Sequence, residues 1–195
     1  MEYKDLQLEL LNHPFYQAWS RGDISTTMLS KYADSYLDFV TELPKLWNKV
    51  FTAFDLQTEG QSIIDEEIEH IALWNVWKDK LEKTENTTSL QQTIKALYAM
   101  TPSELAWAIH AFEVQQPDVA ESKKAGLIDH YGYTDAETQY FDEHMWAEEE
   151  KHIAFWKVLK SRANKAEFEA GFQKGAELYY KTLDQFTTKE QLIAC

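Results

Sequence analysis

Where the helix breakers fall limits this chain more than any other feature. Its six glycines and four prolines sit mostly between segments whose apolar residues repeat with the helical period, so the sequence reads as helices throughout. A short helix is expected over residues 4–11. Pro14 opens a piece that runs through Trp19, and Gly22 closes it. Ser25 or Thr26 caps a long helix to about Phe54, with a kink expected at Pro44. A further helix covers residues 61–81, a polar loop follows over 82–88, and a helix from Ser89 stops before Pro102. Thr101-Pro102-Ser103-Glu104 joins an N-cap, a proline at the first helical position and a glutamate at the third. The helix it starts ends near Gln116, and the next runs to Tyr131 with Gly132 as its stop. Thr134 with Glu137 forms a second capping box, expected to open one helix to about Lys160, and a last helix covers residues 165–186. Repeats, low-complexity tracts and domain boundaries are not visible. The expectation is an all-α chain with residues 1–195 in a single domain.

Charge narrows the partners. The net charge is −14 and only two arginines occur, Arg21 and Arg162. Such a surface repels nucleic acid and anionic membranes, and it offers few bidentate partners to a polyanionic substrate. The single cysteine, Cys195, allows no intrachain disulfide and no cysteine-based zinc site, which fits a reducing cytoplasm. The first eleven residues are amphipathic and carry acids, unlike a signal peptide, and no apolar run approaches the ~20 residues of a membrane span.

The chemistry lies in ionisable residues on apolar faces, where burial of an unpaired charge costs several kcal/mol. At about 100° per residue, Tyr140, Phe141, Met145, Phe155, Trp156 and Leu159 share an arc of about 160° with His144, Glu148 and His152. These three climb the arc a turn apart; Lys151 also falls within it and is expected to snorkel out. In the helix from residue 61, Ile63, Leu73, Trp74, Trp77 and Leu81 cluster around His70, with Glu66 one turn before it and Glu67 as the competing carboxylate. In the helix from Pro102, Glu113 lies near the apolar side, with His110 one turn away. Several buried carboxylates need counter-charges, and metal cations supply them. Helix bundles hold dinuclear sites of inward Glu and His, and oxygen-plus-imidazole ligands suit iron or manganese. A buried proton-coupled hydrogen-bond network is the alternative for the same residues.

His13-Pro14-Phe15-Tyr16-x2-Trp19-Ser20-x-Gly22, followed by Leu29-x2-Tyr32-Ala33-x2-Tyr36, resembles the opening of the TenA/PqqC-like, haem-oxygenase-fold superfamily. Asp65-Glu66-Glu67 with His70-Ile71-x-Leu73-Trp74, then Glu113-x2-Gln116-Pro117, then Tyr140-Phe141-x-Glu143-His144 are similar to segments of its dimetal oxidases and oxygenases. The nearest branch is that of the chlamydial proteins associating with death domains and their bacterial relatives. The resemblance spans about residues 11–156. It implies a haem-oxygenase-like helical bundle that activates O₂ at two non-haem metal ions, Fe/Fe or Fe/Mn. It implies Glu66, His70, Glu113, His144, Glu148 and His152 as ligands. The spacings depart from the family pattern at two places, leaving Glu66 or Glu67 and Glu148 or Glu149 open. The same branch implies para-aminobenzoate synthesis for folate, with Tyr16 as a self-sacrificed substrate and Lys123 as amine donor. Tyr32 and Tyr140 match further aromatic residues around that site, while Phe112 stands where the branch has a tyrosine. By analogy of fold a homodimer is an open option.

Two rival readings stand beside this one. A metal-free enzyme of the same fold, in thiamine or PQQ metabolism, lacks its mid-chain cysteine nucleophile here or has few arginines for its polyanionic substrate. A non-enzymatic module would bind haem through His13 or bind a partner protein, although His-Pro before a helix is also an ordinary cap.

Overall fold

The computed structural model describes residues 6, 8–83, 90–146, 149–162 and 164–187, the side chains of 146 and 149–154 excepted. Among the described residues the regular structure is helical and no strand occurs, as the breaker pattern requires. The helices are α1 (Pro14–Ser20), α2 (Thr26–Ala53), α3 (Gln57–Lys78), α4 (Gln91–Ala99), α5 (Pro102–Glu113), α6 (Gln116–Tyr131), α7 (Gln139–Trp146), α8 (Glu149–Arg162) and α9 (Lys165–Thr182).

The punctuation works as the sequence indicates at most joints. His13 caps α1, with Nδ1 accepting the Phe15 N–H at 3.1 Å and Pro14 as the first helical residue. Ser25 Oγ accepts from Met28 N at 3.2 Å to start α2. The Thr101/Glu104 capping box opens α5. Gly132 ends α6 with φ +69, a conformation that glycine adopts without a Cβ clash.

Three expectations are corrected. The helix expected over residues 4–11 is, in its described part, only a 3-10 turn, Leu10–Asn12, because the residue before a proline is pushed to extended backbone and His13 sits at φ −71, ψ 137. Second, α3 starts at Gln57 and carries Gly60 inside it, where a Cβ would stand 2.3 Å from the Phe51 ring, so this glycine permits close packing rather than breaking a helix. Third, the Thr134/Glu137 capping box opens only a 3-10 turn, Asp135–Glu137. Thr138 Oγ1 turns back onto the carbonyls of Thr134 and Asp135, and α7 begins after it. Of the helix expected up to Lys160, the described parts are α7 and α8.

The long α2 organises the rest. α3 runs back along it, with Trp74 Nε1 donating to the Ala33 carbonyl at 2.9 Å near one end and Phe51 on Gly60 near the other. α5 and α9 lie side by side in the same direction, Thr101 meeting Glu167 and Phe112 meeting Tyr179. This pair approaches backbone to backbone: a Cβ on Gly171 would lie 2.3 Å from the Glu104 carbonyl oxygen, and one on Gly175 would lie 2.5 Å from Ala108 Cα. Gly175→Ala should gain about 1 kcal/mol of helix propensity and lose about 1–3 kcal/mol to overpacking. Backbone cannot yield as a side chain tip can, so a net loss of about 1–2 kcal/mol is expected in urea unfolding. An unchanged midpoint would show that the two helices separate at little cost.

Candidate active site

Two polar groups penetrate the core on adjoining helices. The first centres on α6. Its buried residues Gln116, Val119, Ala120, Lys123, Gly126 and Leu127 form one stripe, so Lys123 is carried inside by the helix itself. Gly126 lets Trp19 approach, and the indole donates to the Lys123 carbonyl at 3.1 Å. The Lys123 side chain is 2% exposed. Its Nζ lies over the rings of Tyr36 at 4.9 Å, Tyr16 at 5.3 Å, Tyr32 at 5.4 Å and Phe141 at 6.0 Å. Among the described residues no carboxylate pairs with it, and burial pushes its pKa down to about 7. The ring faces favour the ammonium by about 1–2 kcal/mol, which is less than the desolvation that opposes it.

The phenols around Lys123 are held neutral. The Tyr16 and Tyr32 hydroxyls are 3.3 Å apart in a buried hydrogen bond. Burial raises the pKa of Tyr16, of Tyr32 and of Tyr36, and each neighbouring phenolate would raise those of Tyr32 and Tyr36 further. Tyr16 comes from α1, while Tyr32 and Tyr36 are one turn apart on α2. The structure therefore brings Tyr16, Tyr32 and Lys123 together from three helices. Tyr36 belongs to the same cluster, although the sequence reading placed it in the resemblance motif and not among the site residues; its i, i+4 spacing from Tyr32 was the available signal.

The second group spans α3 and α7. The His70 and His144 rings lie 4.4 Å apart. His144 Nδ1 is 2.6 Å from the Tyr140 carbonyl, which only accepts, so Nδ1 is the donor in this bond. His70 Nδ1 donates in the same manner to Glu67 Oε2 at 3.3 Å. Hydrogen bonds of this kind fix the tautomer and the ring angle of metal-binding histidines.

Glu67, 4% exposed, is the carboxylate that accompanies His70, and the preferred Glu66 is only half-buried. The buried stripe of α3 is Gly60, Ile63, Glu67, His70, Trp74 and Trp77. It is rotated by roughly 30° from the arc centred on His70, towards Trp74 and away from Leu73. That rotation carries Glu67 inward. Tyr140 joins the two groups: its ring is 4.2 Å from His144 and 4.7 Å from Trp74, and its phenolate would raise the pKa of Tyr32 and Tyr36.

Both carboxylate oxygens of Glu113, at the end of α5, are buried, and its charge adds to burial in raising the pKa of Tyr179. Glu148 and the side chains of Glu149 and His152 lie outside what the structure describes. Among the described residues no group of three or more His, Cys, Asp or Glu side chains stands close enough together to hold a metal ion. The described donors are the His70–His144 pair with Glu67, and Glu113 on another helix. Oxygen and imidazole donors of this kind suit iron or manganese.

His13 does not offer a haem ligand in this arrangement. Its Nδ1 accepts from Phe15 N and its Nε2 meets Asp184 Oδ1 at 3.1 Å, so both nitrogens are engaged in tying α1 to the turn after α9. The cap expected of His-Pro is what the ring provides. No helix among the described residues is long and apolar enough to cross a membrane.

An all-helical core that buries a readily deprotonated lysine among tyrosines, beside paired imidazoles, has the character of an enzyme centre. Comparison with known proteins points the same way. The chain is 29% identical over 211 aligned residues to a 4-aminobenzoate synthase of Nitrosomonas europaea, covering 90% of this chain and 84% of the relative. It is 25% identical to a 4-aminobenzoate synthase of Chlamydia trachomatis, covering 95% and 90%. A third 4-aminobenzoate synthase, from Chlamydia muridarum, is 26% identical over 69% of this chain, and the match spans 65% of that relative's length. No family model matches the chain. These relatives are enzymes, in agreement with the expectation from the sequence.

Proposed function

We propose that this chain makes 4-aminobenzoate, drawing the aromatic ring from Tyr16 and the nitrogen from Lys123, with O₂ as the oxidant at two non-haem metal ions, Fe/Fe or Fe/Mn. One observation carries the reading: Lys123, with a pKa near 7 and no carboxylate partner among the described residues, lies directly over the Tyr16 ring. An amine must be uncharged to act as a nitrogen donor, and a buried site with no carboxylate partner among the described residues provides that near neutral pH. The Tyr16–Tyr32 hydrogen bond holds the Tyr16 ring in register with Nζ. The surrounding Trp, Phe and Tyr rings exclude water from the pair.

His70, His144, Glu67 and Glu113 would hold the metals, together with Glu148 or Glu149 and His152. Such ions, when bound, supply the electrons and Lewis acidity for O₂ activation. The Nδ1 hydrogen bonds of His70 and His144 would fix the ring orientations in which Nε2 is the ligating atom.

Expression in a para-aminobenzoate auxotroph tests the reading: growth without the supplement supports it, and failure of the expressed protein to restore growth overturns it. The metal centre is tested separately by iron and manganese analysis after anaerobic loading. Glu67→Gln is expected to lower metal affinity about 10–100-fold, and Glu66→Gln to lower it less. Equal metal content in both variants and the parent would remove Glu67 from the centre.

A further inference from the structure

A pocket of about 30 Å³, partly open to the outside, lies against the tyrosine cluster between α2, α4 and the end of α9. Tyr16, Tyr32 and Tyr36, whose rings surround Lys123 Nζ, also form one wall of it. Leu90, Thr93, Tyr179 and Thr182 are among the residues of the other walls. Every lining residue is buried except Thr182, which is half-buried, so the opening lies at the Thr93–Thr182 end. There the two hydroxyls are 2.7 Å apart, in a hydrogen bond that joins α4 to α9. The Thr182 hydroxyl donates to the Leu178 carbonyl, so Thr93 is the donor across the gap.

The lining suits an aromatic molecule with polar ends. Its walls are mostly rings and aliphatic carbon, and no charged side chain is among them. Hydroxyls supply the polar contacts. The Tyr16–Tyr32 hydrogen bond uses one O–H of the two and leaves the other free to donate. Tyr36 adds a further hydroxyl, and that of Tyr179 is buried with no hydrogen-bond partner found. These groups are numerous enough to hold water before any reaction. A benzoate set free from residue 16 would meet the same hydroxyls in place of that water. With no cation to bind its carboxylate it would be held weakly, and the chain's net charge of −14 favours the departure of an anion.

We propose that this pocket is the path by which an aromatic acid cut from residue 16 leaves the protein, with the Thr93–Thr182 pair as its gate. The path rests on the pocket; its use in release rests on the proposed 4-aminobenzoate reading. A benzene ring is larger than the space present, so its passage requires α4 and the end of α9 to part. Locking them together tests this. Hydroxyls 2.7 Å apart place residues 93 and 182 within reach of a disulfide when both are cysteine. In metal-loaded Thr93→Cys/Thr182→Cys/Cys195→Ser protein, oxidised and then exposed to O₂, 4-aminobenzoate is expected to stay with the protein through gel filtration. After reduction it should leave at least about tenfold faster. Thr93→Val removes the donor at the gate and keeps the side chain's shape; it is expected to speed release and serves if the disulfide does not form.

A second measurement does not depend on catalysis. Tyr16→Ala removes the ring and enlarges the pocket, and 4-methylphenol, the severed tyrosine side chain, is expected to bind there. The same disulfide built into this variant should slow its entry by a similar factor. Product that leaves the oxidised and reduced proteins equally fast, or 4-methylphenol that enters both equally fast, would overturn the path. Gated entry of 4-methylphenol in a chain whose parent makes no 4-aminobenzoate would leave the path standing and sink the functional reading instead.

Discussion

Lys123→Met is expected to leave the protein more stable at neutral pH and unable to form product. The stability effect follows from linkage. In the unfolded chain Lys123 has its ordinary pKa of 10.5, and in the fold it falls to about 7. Between these values the unfolded state holds a proton that the folded state lacks, so stability rises with pH by about 1.4 kcal/mol per unit. Below pH 7 both states are protonated and the cost of a buried ammonium is fully present; above 10.5 it vanishes. The buried phenols act in the opposite sense and only at higher pH, since their pKa values are raised on folding. The difference between parent and variant therefore isolates Lys123. Urea unfolding from pH 6 to 10 should show the variant more stable by several kcal/mol at the acid end, with the two curves converging as pH rises. Parallel curves would mean that the lysine is not desolvated. In the parent protein the rate of product formation should climb as pH passes upward through about 7, where Nζ loses its proton.

How much of this was legible in the sequence depended on whether a residue acts locally. The α5 capping box, the His13 cap and the Gly132 stop are hydrogen bonds or backbone conformations settled within a few residues, and each is present. Thr138 shows the limit: its hydroxyl returns to two carbonyls and cuts short the helix that the preceding capping box would have started. Which of Glu66 and Glu67 is buried against His70 was not a local matter at all. Both fit a helical face containing His70, and only the packing of α3 on α2, through Gly60 and Trp74, fixes which way that face turns. Lys123 had a visible signal, an apolar stripe with a lysine at its centre, but the same pattern describes a snorkelling side chain. What makes it a buried amine is the ring of tyrosines from two other helices, and those meet only in the fold.

Tyr16→Phe is expected to abolish 4-aminobenzoate formation, and Tyr32→Phe to lower it without abolishing it. Distance to the amine does not separate these residues, since Nζ lies 5.3 Å from one ring and 5.4 Å from the other. What each ring supports does separate them. Tyr32, in the second turn of the 28-residue α2, packs against Phe15, Trp19, Tyr36, Trp74 and Phe186, so losing it would open a cavity among these rings. Removal of such a ring costs about 3–5 kcal/mol, a large part of a typical folding free energy. Tyr16 lies on the seven-residue α1, and its ring pair among the described residues is with its neighbour Phe15. A protein that consumes one of its own rings keeps its fold best by giving up this one. The phenylalanine variant retains the ring's volume and loses only the hydroxyl, so it separates chemistry from packing: unfolding midpoints should change by about 1 kcal/mol or less beyond the lost hydrogen bond. Protein grown on ring-labelled tyrosine provides the decisive readout. The label should appear in the product, and the chain should lose the corresponding mass at residue 16. Product with unlabelled carbon, or product from Tyr16→Phe at the parent level, would place the aromatic source outside the chain and turn the Tyr16–Tyr32 pair into a positioning device for a bound small molecule.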